Sequence, residues 1–216
     1  EDVEVVVLGT FTGDGRLRVR HGRTVVADLS MDFLHDGLPR QERTARFEAP
    51  AEGEPKIDAK DRYDDDLLDL LGSPQIGSKE WVIRQYDHEV QAGAVVRPLV
   101  GPHHGPSDAA VLAPKPGSRR GIVLSCAVNP GYGDVDPYAM ALATVDEAIR
   151  NAVAVGADPA RLALLDNFTW GNGNRPEQLG SLVRAAEGCR DAALLFGTPF
   201  ISGKDSLHNE FRREDG

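Results

Sequence analysis

The chain has 216 residues, of which 41% are hydrophobic and 27% charged, the proportions of an ordinary globular protein long enough to bury a substantial core. Its formal net charge of −10 argues against a surface for nucleic acid or for an anionic membrane, because both surfaces need clustered Lys and Arg side chains. The apolar runs fall far short of the roughly 18 residues that a membrane span requires.

Two cysteines, Cys126 and Cys189, lie far apart and form no CxxC pair, which predicts reduced thiols in a core and a cytoplasmic protein. The chain opens on the strand-like EDVEVVVLG, without an initiator Met or a secretory signal pattern. We therefore expect it to be a segment of a longer protein.

The first third of the chain divides into an apolar and a polar part. Short apolar bursts between turn signals predict a small β-rich unit over residues 3–35, with strands or hairpins in VEVVVLGTF, RLRVRH and RTVVADLSMDFLH. Residues 38–66 are polar and predict a linker. A helix is predicted over residues 63–71, stopped by Gly72, and another from Ser78 through SKEWVIRQYDHEV.

Beyond Ala94 the hydrophobic rhythm becomes that of an α/β unit, so we place a boundary near residue 94. Three strand-like segments, AVVRPLVG, SDAAVLAP and GIVLSCAV, precede a helix over residues 136–155. The strand-like RLALLDNF follows, and then a helix from about residue 177 to 195.

The helix over residues 136–155 carries a candidate metal site. Glu147 and Asn151 are four residues apart, about 40° around the helix axis, while Val145 lies on a different, apolar face. With Asp108 they would supply three hard oxygen ligands of the kind that Mg²⁺ accepts beside water and phosphate. From spacing alone, a solvated helix face is the alternative interpretation.

A second candidate site involves phosphate. Asp166 follows an apolar strand and opens a Gly/Asn-rich loop, and ligands of α/β sheets usually sit at strand ends. The segment GTPFISGKDS combines glycines with Lys204, which suggests a phosphate-binding loop. It is not a Walker A loop, because five residues separate Gly197 from Gly203 and Asp205 follows the lysine.

The histidines give weaker signals. His103 and His104 could ligate a metal, but no third His or Cys lies nearby, so a flexible loop is the preferred interpretation. His88 is interpreted as a helix-surface residue. Neither a Cys-His nor a Ser-His-Asp arrangement is visible in the sequence.

Six segments resemble, in the same order, the synthetase portion of phosphoribosylformylglycinamidine synthase, an enzyme of purine biosynthesis. They are MDFLHDGLPR, SKEWVIRQYDHEVQ, VRPLVGP with SDAAVL, DPYAMALATVDEAIRNAVAVGADP, LALLDNFTWGN and GTPFISGKDSLHNE. The resemblance implies an α/β (α+β) fold with an aminoimidazole-ribonucleotide-synthetase-like N-terminal domain. In that arrangement residues 1–48 are the β-rich tail of the preceding synthetase C-terminal domain, 49–94 a polar connector with helices, and 95–216 the N-terminal-like domain.

The same resemblance implies an ATP-dependent C–N ligase that converts formylglycinamide ribonucleotide and glutamine-derived ammonia to the amidine through a phosphorylated amide oxygen. The family's catalytic His lies in a domain that these segments do not match, so no catalytic residue is assigned here and the isolated chain is expected to be inactive. The alternative is a structural module that binds ADP and Mg²⁺ and dimerises without turnover. A third reading keeps only the wider superfamily, which includes selenophosphate synthetase, and YDHEVQ together with SGKDSL counts against it.

Seven positions carry over from the family. Mg²⁺ binding at an auxiliary nucleotide site is implied for Asp108, Glu147 and Asn151. Nucleotide or substrate contact is implied for Asp166, Gly203, Lys204 and Ser206, although small members of the family have a metal-ligating Asn where Lys204 stands. The implied partners are ATP or ADP with Mg²⁺, formylglycinamide ribonucleotide, a glutaminase subunit or domain, the other synthetase domains and a second copy of the chain. Whether the glutaminase lies on the same chain, and whether the site is catalytic or structural, stays open.

Overall fold

The computed structural model describes residues 3–50 and 56–211. The chain divides into two compact units, one ending at Arg43 and the other starting at Thr44. In chain order the elements are β1 (Arg16–His21), β2 (Thr24–Ser30), α1 (Met31–Asp36), α2 (Asp64–Gly72), α3 (Glu80–Ile83), β3 (Ala94–Val96), β4 (Leu99–Val100), β5 (Gly105–Pro106), β6 (Ala109–Leu112), β7 (Ile122–Ser125), α4 (Pro130–Gly133), α5 (Pro137–Ala154), a 3₁₀ turn (Pro159–Arg161), β8 (Leu164–Trp170), α6 (Pro176–Phe196) and β9 (Phe200–Leu207).

The first unit is a hairpin followed by a short helix. Strands β1 and β2 pair antiparallel around Gly22, whose φ of 59° is in the left-handed region, so the predicted hairpin is confirmed. The Ser30 side chain accepts a hydrogen bond from the Phe33 backbone N–H and starts α1, so MDFLH is a helix rather than part of a strand. The strand predicted in VEVVVLGTF is wrong: residues 3–12 pair with no strand, and Val7 is 84% exposed. A strand without a neighbour leaves its backbone N–H and C=O groups unpaired.

Of the two helices predicted before residue 94, the first is confirmed and the second is much shorter than predicted. Helix α2 confirms the first to within one residue, but α3 ends at Ile83, well short of the predicted SKEWVIRQYDHEV helix. The Asp87 carboxylate accepts hydrogen bonds from the N–H groups of Glu89 and Gln91, at 3.1 and 2.8 Å, which would otherwise be free to donate to helix carbonyls. Residues 90–92 accordingly take positive φ angles.

The second unit contains the predicted α/β arrangement, and its fold class is confirmed. Strands β3, β6 and β7 form an antiparallel sheet, and α5 lies against it and against α6. Small residues let the two helices approach closely: a side-chain carbon on Gly188 would lie 2.6 Å from the Tyr138 carbonyl oxygen. The buried core of these helices consists of Ala141, Val145, Ala152, Ala185 and Ala192.

Helix α6 connects the parallel strands β8 and β9, a β-α-β unit. The helices predicted over residues 136–155 and 177–195 and the strand RLALLDNF are confirmed by α5, α6 and β8. The segment ISGKDSL, expected to form a Gly-rich loop, is instead strand β9, because β8 offers it a full hydrogen-bonding partner. None of the helices in the described part of the chain combines the length and apolar character needed to cross a lipid bilayer.

Candidate functional site

Two of the three predicted metal ligands lie at the same end of the β6–β7 pair. Ala109 is the register partner of Ser125, so Asp108 and Cys126 are the next residues on either strand. Asn151 of α5 reaches this end, because its side-chain N–H donates to the Cys126 carbonyl oxygen at 3.4 Å. The Ser125 hydroxyl donates to the Ala148 carbonyl at 2.8 Å and ties the strand to the same helix.

Glu147 lies one helical turn before Asn151 and contacts the segment that follows β7. Its Oε2 accepts a hydrogen bond from Asn129 Nδ2 at 2.6 Å, and both side chains are partly buried. The polar stripe of α5 therefore faces residues 126–129 and is not simply solvated.

The chemistry of this cluster is compatible with a hard cation. Carboxylate oxygens of Asp108 and Glu147 and the amide oxygen of Asn151 are ligand types that Mg²⁺ accepts. Within residues 3–50 and 56–211, no three His, Cys, Asp or Glu side chains gather as a metal centre would need. A cation here would thus depend on two carboxylates and one amide, with water or phosphate oxygens completing its shell, and its binding stays a prediction.

Asp166 and Gly203 of the predicted nucleotide set are register partners in the β8–β9 ladder. The Asp166 side chain lies on the α6 side, where it lines a small apolar pocket with Phe168 and Cys189. Burial raises the pKa of the Asp166 carboxyl, and the nearby charge of Asp205 raises it further. The carboxyl occupies the space that a side chain at position 203 would fill, and position 203 is glycine.

Lys204 and Ser206 point to the opposite face of the same sheet. Successive side chains of a strand alternate between faces, and the register partner of Asp166 is Gly203, the residue before Lys204. The Lys204 ammonium donates to the Ser206 hydroxyl oxygen. No single face of β8–β9 therefore presents the side chains of Asp166, Lys204 and Ser206 together, and a ligand on one face would meet either the acid or the Lys–Ser pair.

A groove of about 580 Å³ lies at the carboxyl end of β8, a place where α/β folds often bind ligands. Three parts of the second unit line it: residues 46–48, the segment from α4 into α5, and the residues from the end of β8 into α6. Trp170 is one of the lining residues, and its indole N–H holds it against α6 by donating to the Gln178 carbonyl and the Ser181 hydroxyl, at 3.1 and 2.9 Å.

The charges around the groove are mostly negative. Glu48, Asp134 and Glu177 face it against the single guanidinium of Arg46 among its lining residues. Such a lining disfavours a polyphosphate and suits a neutral or cationic group. Sequence reasoning missed this groove because residues 46–48 belong to the polar stretch assigned to a linker. The Gly/Asn-rich turn WGNGN after β8 was the one sequence feature that pointed to a ligand site at this strand end.

Comparison with known proteins supports a specific family. Residues 106–214 match the family described as AIR synthase related protein, N-terminal domain. The phosphoribosylformylglycinamidine synthase subunit PurL of Anaeromyxobacter dehalogenans strain 2CP-C is 37% identical over 224 residues, which cover 97% of this chain and 28% of that subunit. The PurL subunit of Methanocaldococcus jannaschii is 38% identical over 205 residues, covering 94% of this chain and 27% of its own length. The predicted resemblance is thereby confirmed, and the chain spans little more than a quarter of these relatives.

Solved structures agree on the fold. Thermotoga maritima PurL complexed with ATP superposes with a TM-score of 0.59 at 21% identity, over 92% of this chain and 29% of that one. T. maritima PurL complexed with FGAR gives a TM-score of 0.56 at 23% identity, over 92% and 28%. Since the family model covers residues 106–214, half of the sequence, the chain belongs to the AIR synthase related family.

Proposed function

We propose that this sequence contributes part of an ATP-dependent C–N ligase of purine biosynthesis, which converts formylglycinamide ribonucleotide, ATP and glutamine-derived ammonia to formylglycinamidine ribonucleotide. The observation that carries the proposal is the 37% identity to a PurL subunit over 97% of the chain. Relatives of the same fold have been solved with ATP, with ADP and with FGAR, which supports nucleotide and ribonucleotide ligands for the intact protein.

The nucleotide would bind with Mg²⁺ near α5. Asp108, Glu147 and Asn151 would hold the cation, and the hydrogen bond from Asn129 positions the Glu147 carboxylate. When bound, the cation would neutralise phosphate charge, a contribution that matters in a chain with a net charge of −10.

The second group, Asp166, Gly203, Lys204 and Ser206, is proposed to contact nucleotide or substrate from β8 and β9. Asp166 can accept hydrogen bonds from ribose or amide groups on the α6 side, and Lys204 can face phosphate on the other side. No residue of this chain is proposed to be catalytic, so we expect the 216 residues alone to lack synthase activity.

The second candidate is a structural role, in which ADP and Mg²⁺ stiffen the assembly without turnover. It is favoured by one observation: Glu147 and Asn151 both already bond to the segment after β7, so a cation bound to them would fasten α5 to that segment. In either case we propose a cytoplasmic protein that works with a glutaminase subunit or domain, with further synthetase domains and with a second copy of itself.

Substitution of Glu147 in the protein that carries this sequence separates the two roles. The measurement is ADP formation that requires formylglycinamide ribonucleotide, with ammonia as nitrogen donor, together with the thermal midpoint. Glu147→Ala should abolish turnover if the cation that Glu147 holds serves the ATP that is consumed, whereas a lowered midpoint with turnover per folded molecule retained would assign the site a structural role. Asp146→Ala is the matched control, because Asp146 forms an exposed ion pair with Arg150 on the same helix. Absence of ribonucleotide-dependent ADP formation by the unsubstituted protein would overturn the proposed function itself.

A further inference from the structure

Residues 44–48, here called the strap, contact helix α6 through Arg46 and Phe47. Its central residue, Arg46, donates its backbone N–H to the Pro176 carbonyl oxygen at 2.9 Å. Pro176 is the first residue of α6, so this bond fixes the strap at the helix start. The strap lies outside the helices and strands, in a stretch whose polar composition predicted a linker.

Gly180 lets the strap approach the helix. A side-chain carbon at this position would lie 2.0 Å from the Arg46 carbonyl oxygen and 2.8 Å from the Phe47 backbone nitrogen, so a residue larger than glycine cannot fit beneath the strap. Glycine inside a helix is unfavourable relative to alanine by up to about 1 kcal/mol. The close approach of the strap gives a physical reason for glycine at this buried place.

Arg184 holds the strap from the next turn of the same helix face. Its guanidinium carbon lies 5.2 Å from the ring centroid of Phe47 and 5.1 Å from that of Tyr138, within the range of cation–π attraction for both rings. Its Nη2 also donates to both carboxylate oxygens of Asp136, each at 3.1 Å. One cation therefore connects the strap to the first turn of α5.

Pro176, Gly180 and Arg184 are spaced four residues apart and form one row along α6. The row offers a backbone acceptor, a gap without a side chain and a cation, and these match the Arg46 amide, the Arg46 carbonyl and the Phe47 ring in turn. Such serial complementarity is expected of a docking site and is not a property of a free linker.

We propose that the strap is a conformational latch that builds one wall of the groove at the carboxyl end of β8. Arg46, Phe47 and Glu48 all line that groove, so it has its observed walls only while the strap is docked. Release of Phe47 from Arg184 would open the groove and leave the rest of α6 unchanged. This proposal is independent of the synthase function, since it concerns contacts within the second unit only.

Limited trypsin digestion of the full chain tests the latch, because Arg40, Arg43 and Arg46 provide three cleavage points in and before the strap. A docked strap protects the Arg46–Phe47 bond while the bonds after Arg40 and Arg43 are cut. Phe47→Ala should raise the cleavage rate after Arg46 by about 5- to 30-fold, the change that a loss of 1–2 kcal/mol gives, and Phe47→Tyr should keep the protection. Cleavage after Arg190, within α6, is the internal control for general unfolding.

The direction in which Gly180→Ala changes the thermal midpoint gives a second, independent readout. Without a docked strap, Gly180→Ala would raise the thermal midpoint through better helix propensity, as expected for Gly72→Ala at the open end of α2. With the strap docked, Gly180→Ala lowers the midpoint or exposes the bond after Arg46. Cleavage after Arg46 as fast as after Arg43 in the unsubstituted chain would overturn the proposal, as would a raised midpoint of Gly180→Ala with unchanged cleavage. If Gly180→Ala fails to fold, the Phe47 variants decide between the outcomes.

Discussion

A side-chain carbon at position 203 would lie 2.0 Å from Oδ1 of Asp166, so the Asp166 carboxylate would have to move for any residue larger than glycine to stand there. The two residues are directly opposite in the parallel β8–β9 ladder and share the face that packs toward α6. The glycine that the sequence suggested as part of a phosphate loop thus makes room for a carboxylate of the same protein.

Gly203→Ala is therefore expected to destabilise the second unit by about 1–3 kcal/mol, the usual cost of forcing extra atoms into a packed site. Ser202→Ala, at the preceding exposed position of β9, should stay within about 0.5 kcal/mol. Urea unfolding followed by circular dichroism measures both. Equal midpoints for the two variants would show that Asp166 can turn away at little cost.

The same carboxylate makes stability depend on pH. Burial, and then the charge of Asp205, raise the pKa of Asp166 above its ordinary 3.8. The folded state thus binds this proton more tightly than the unfolded chain, and the resulting stability is present below pH 3.8 and is lost as pH rises through the folded pKa.

Asp166→Asn removes that loss, so the variant should exceed the unsubstituted chain in stability by more at neutral pH than below pH 3.8. The comparison needs free energies of unfolding from urea titrations of both proteins at the two pH values. Subtracting one protein's value from the other's at each pH cancels the contribution of the other carboxylates, which both proteins share. A gain that is equal at both pH values, or larger in acid, would contradict the raised pKa.

Asp136 joins two structural tasks at the start of α5. Its side chain accepts a hydrogen bond from the Tyr138 backbone N–H at 3.0 Å and thereby caps the helix, and it also accepts two bonds from Arg184. Asp136→Ala removes both and should cost about 0.5–2 kcal/mol for the cap alone. Asp136→Asn keeps an acceptor for the cap, so its loss should be smaller. Urea unfolding of the two variants tests the order, and a loss for the Asn variant as large as or larger than that for the Ala variant would contradict a stabilising cap at Asp136.

Sequence periodicity predicted the part of the fold that local signals specify. The periodic stripe of α5, with Val145 on its apolar face, indicates a helix without tertiary information, and the structure confirms it. The helix expected through Val90 failed because the Asp87 side chain takes backbone N–H groups, a competition that composition alone does not reveal.

The candidate sites depended on contacts that spacing cannot supply. Asp108 approaches Asn151 only through the β6–β7 register, and the docking of Phe47 on Arg184 joins residues far apart in sequence. Likewise, Asp166 and Lys204 lie on two different faces because ISGKDSL forms a strand. Its glycine and charged residues had predicted a loop. Long-range pairing therefore set both the groove and the division of the nucleotide residues.

The two cysteines should differ in reactivity, against the expectation that both lie in a core. Cys126 is exposed, whereas Cys189, a residue of α6, is partly buried. Burial raises the pKa of the Cys189 thiol, and the charge of Asp166 raises it further, so its reactive thiolate is scarcer.

Iodoacetamide at mildly alkaline pH should therefore modify Cys126 first, as followed by peptide mass spectrometry on quenched samples of the folded chain. Denaturant should bring the two rates together, which controls for the intrinsic reactivity of each peptide. Asp166→Asn should speed modification of Cys189, because the charge of Asp166 raises the pKa of this thiol, and the labelling rate of Cys126 serves as the internal reference. Faster labelling of Cys189 than of Cys126 in the folded chain would contradict the placement of α6 over β8.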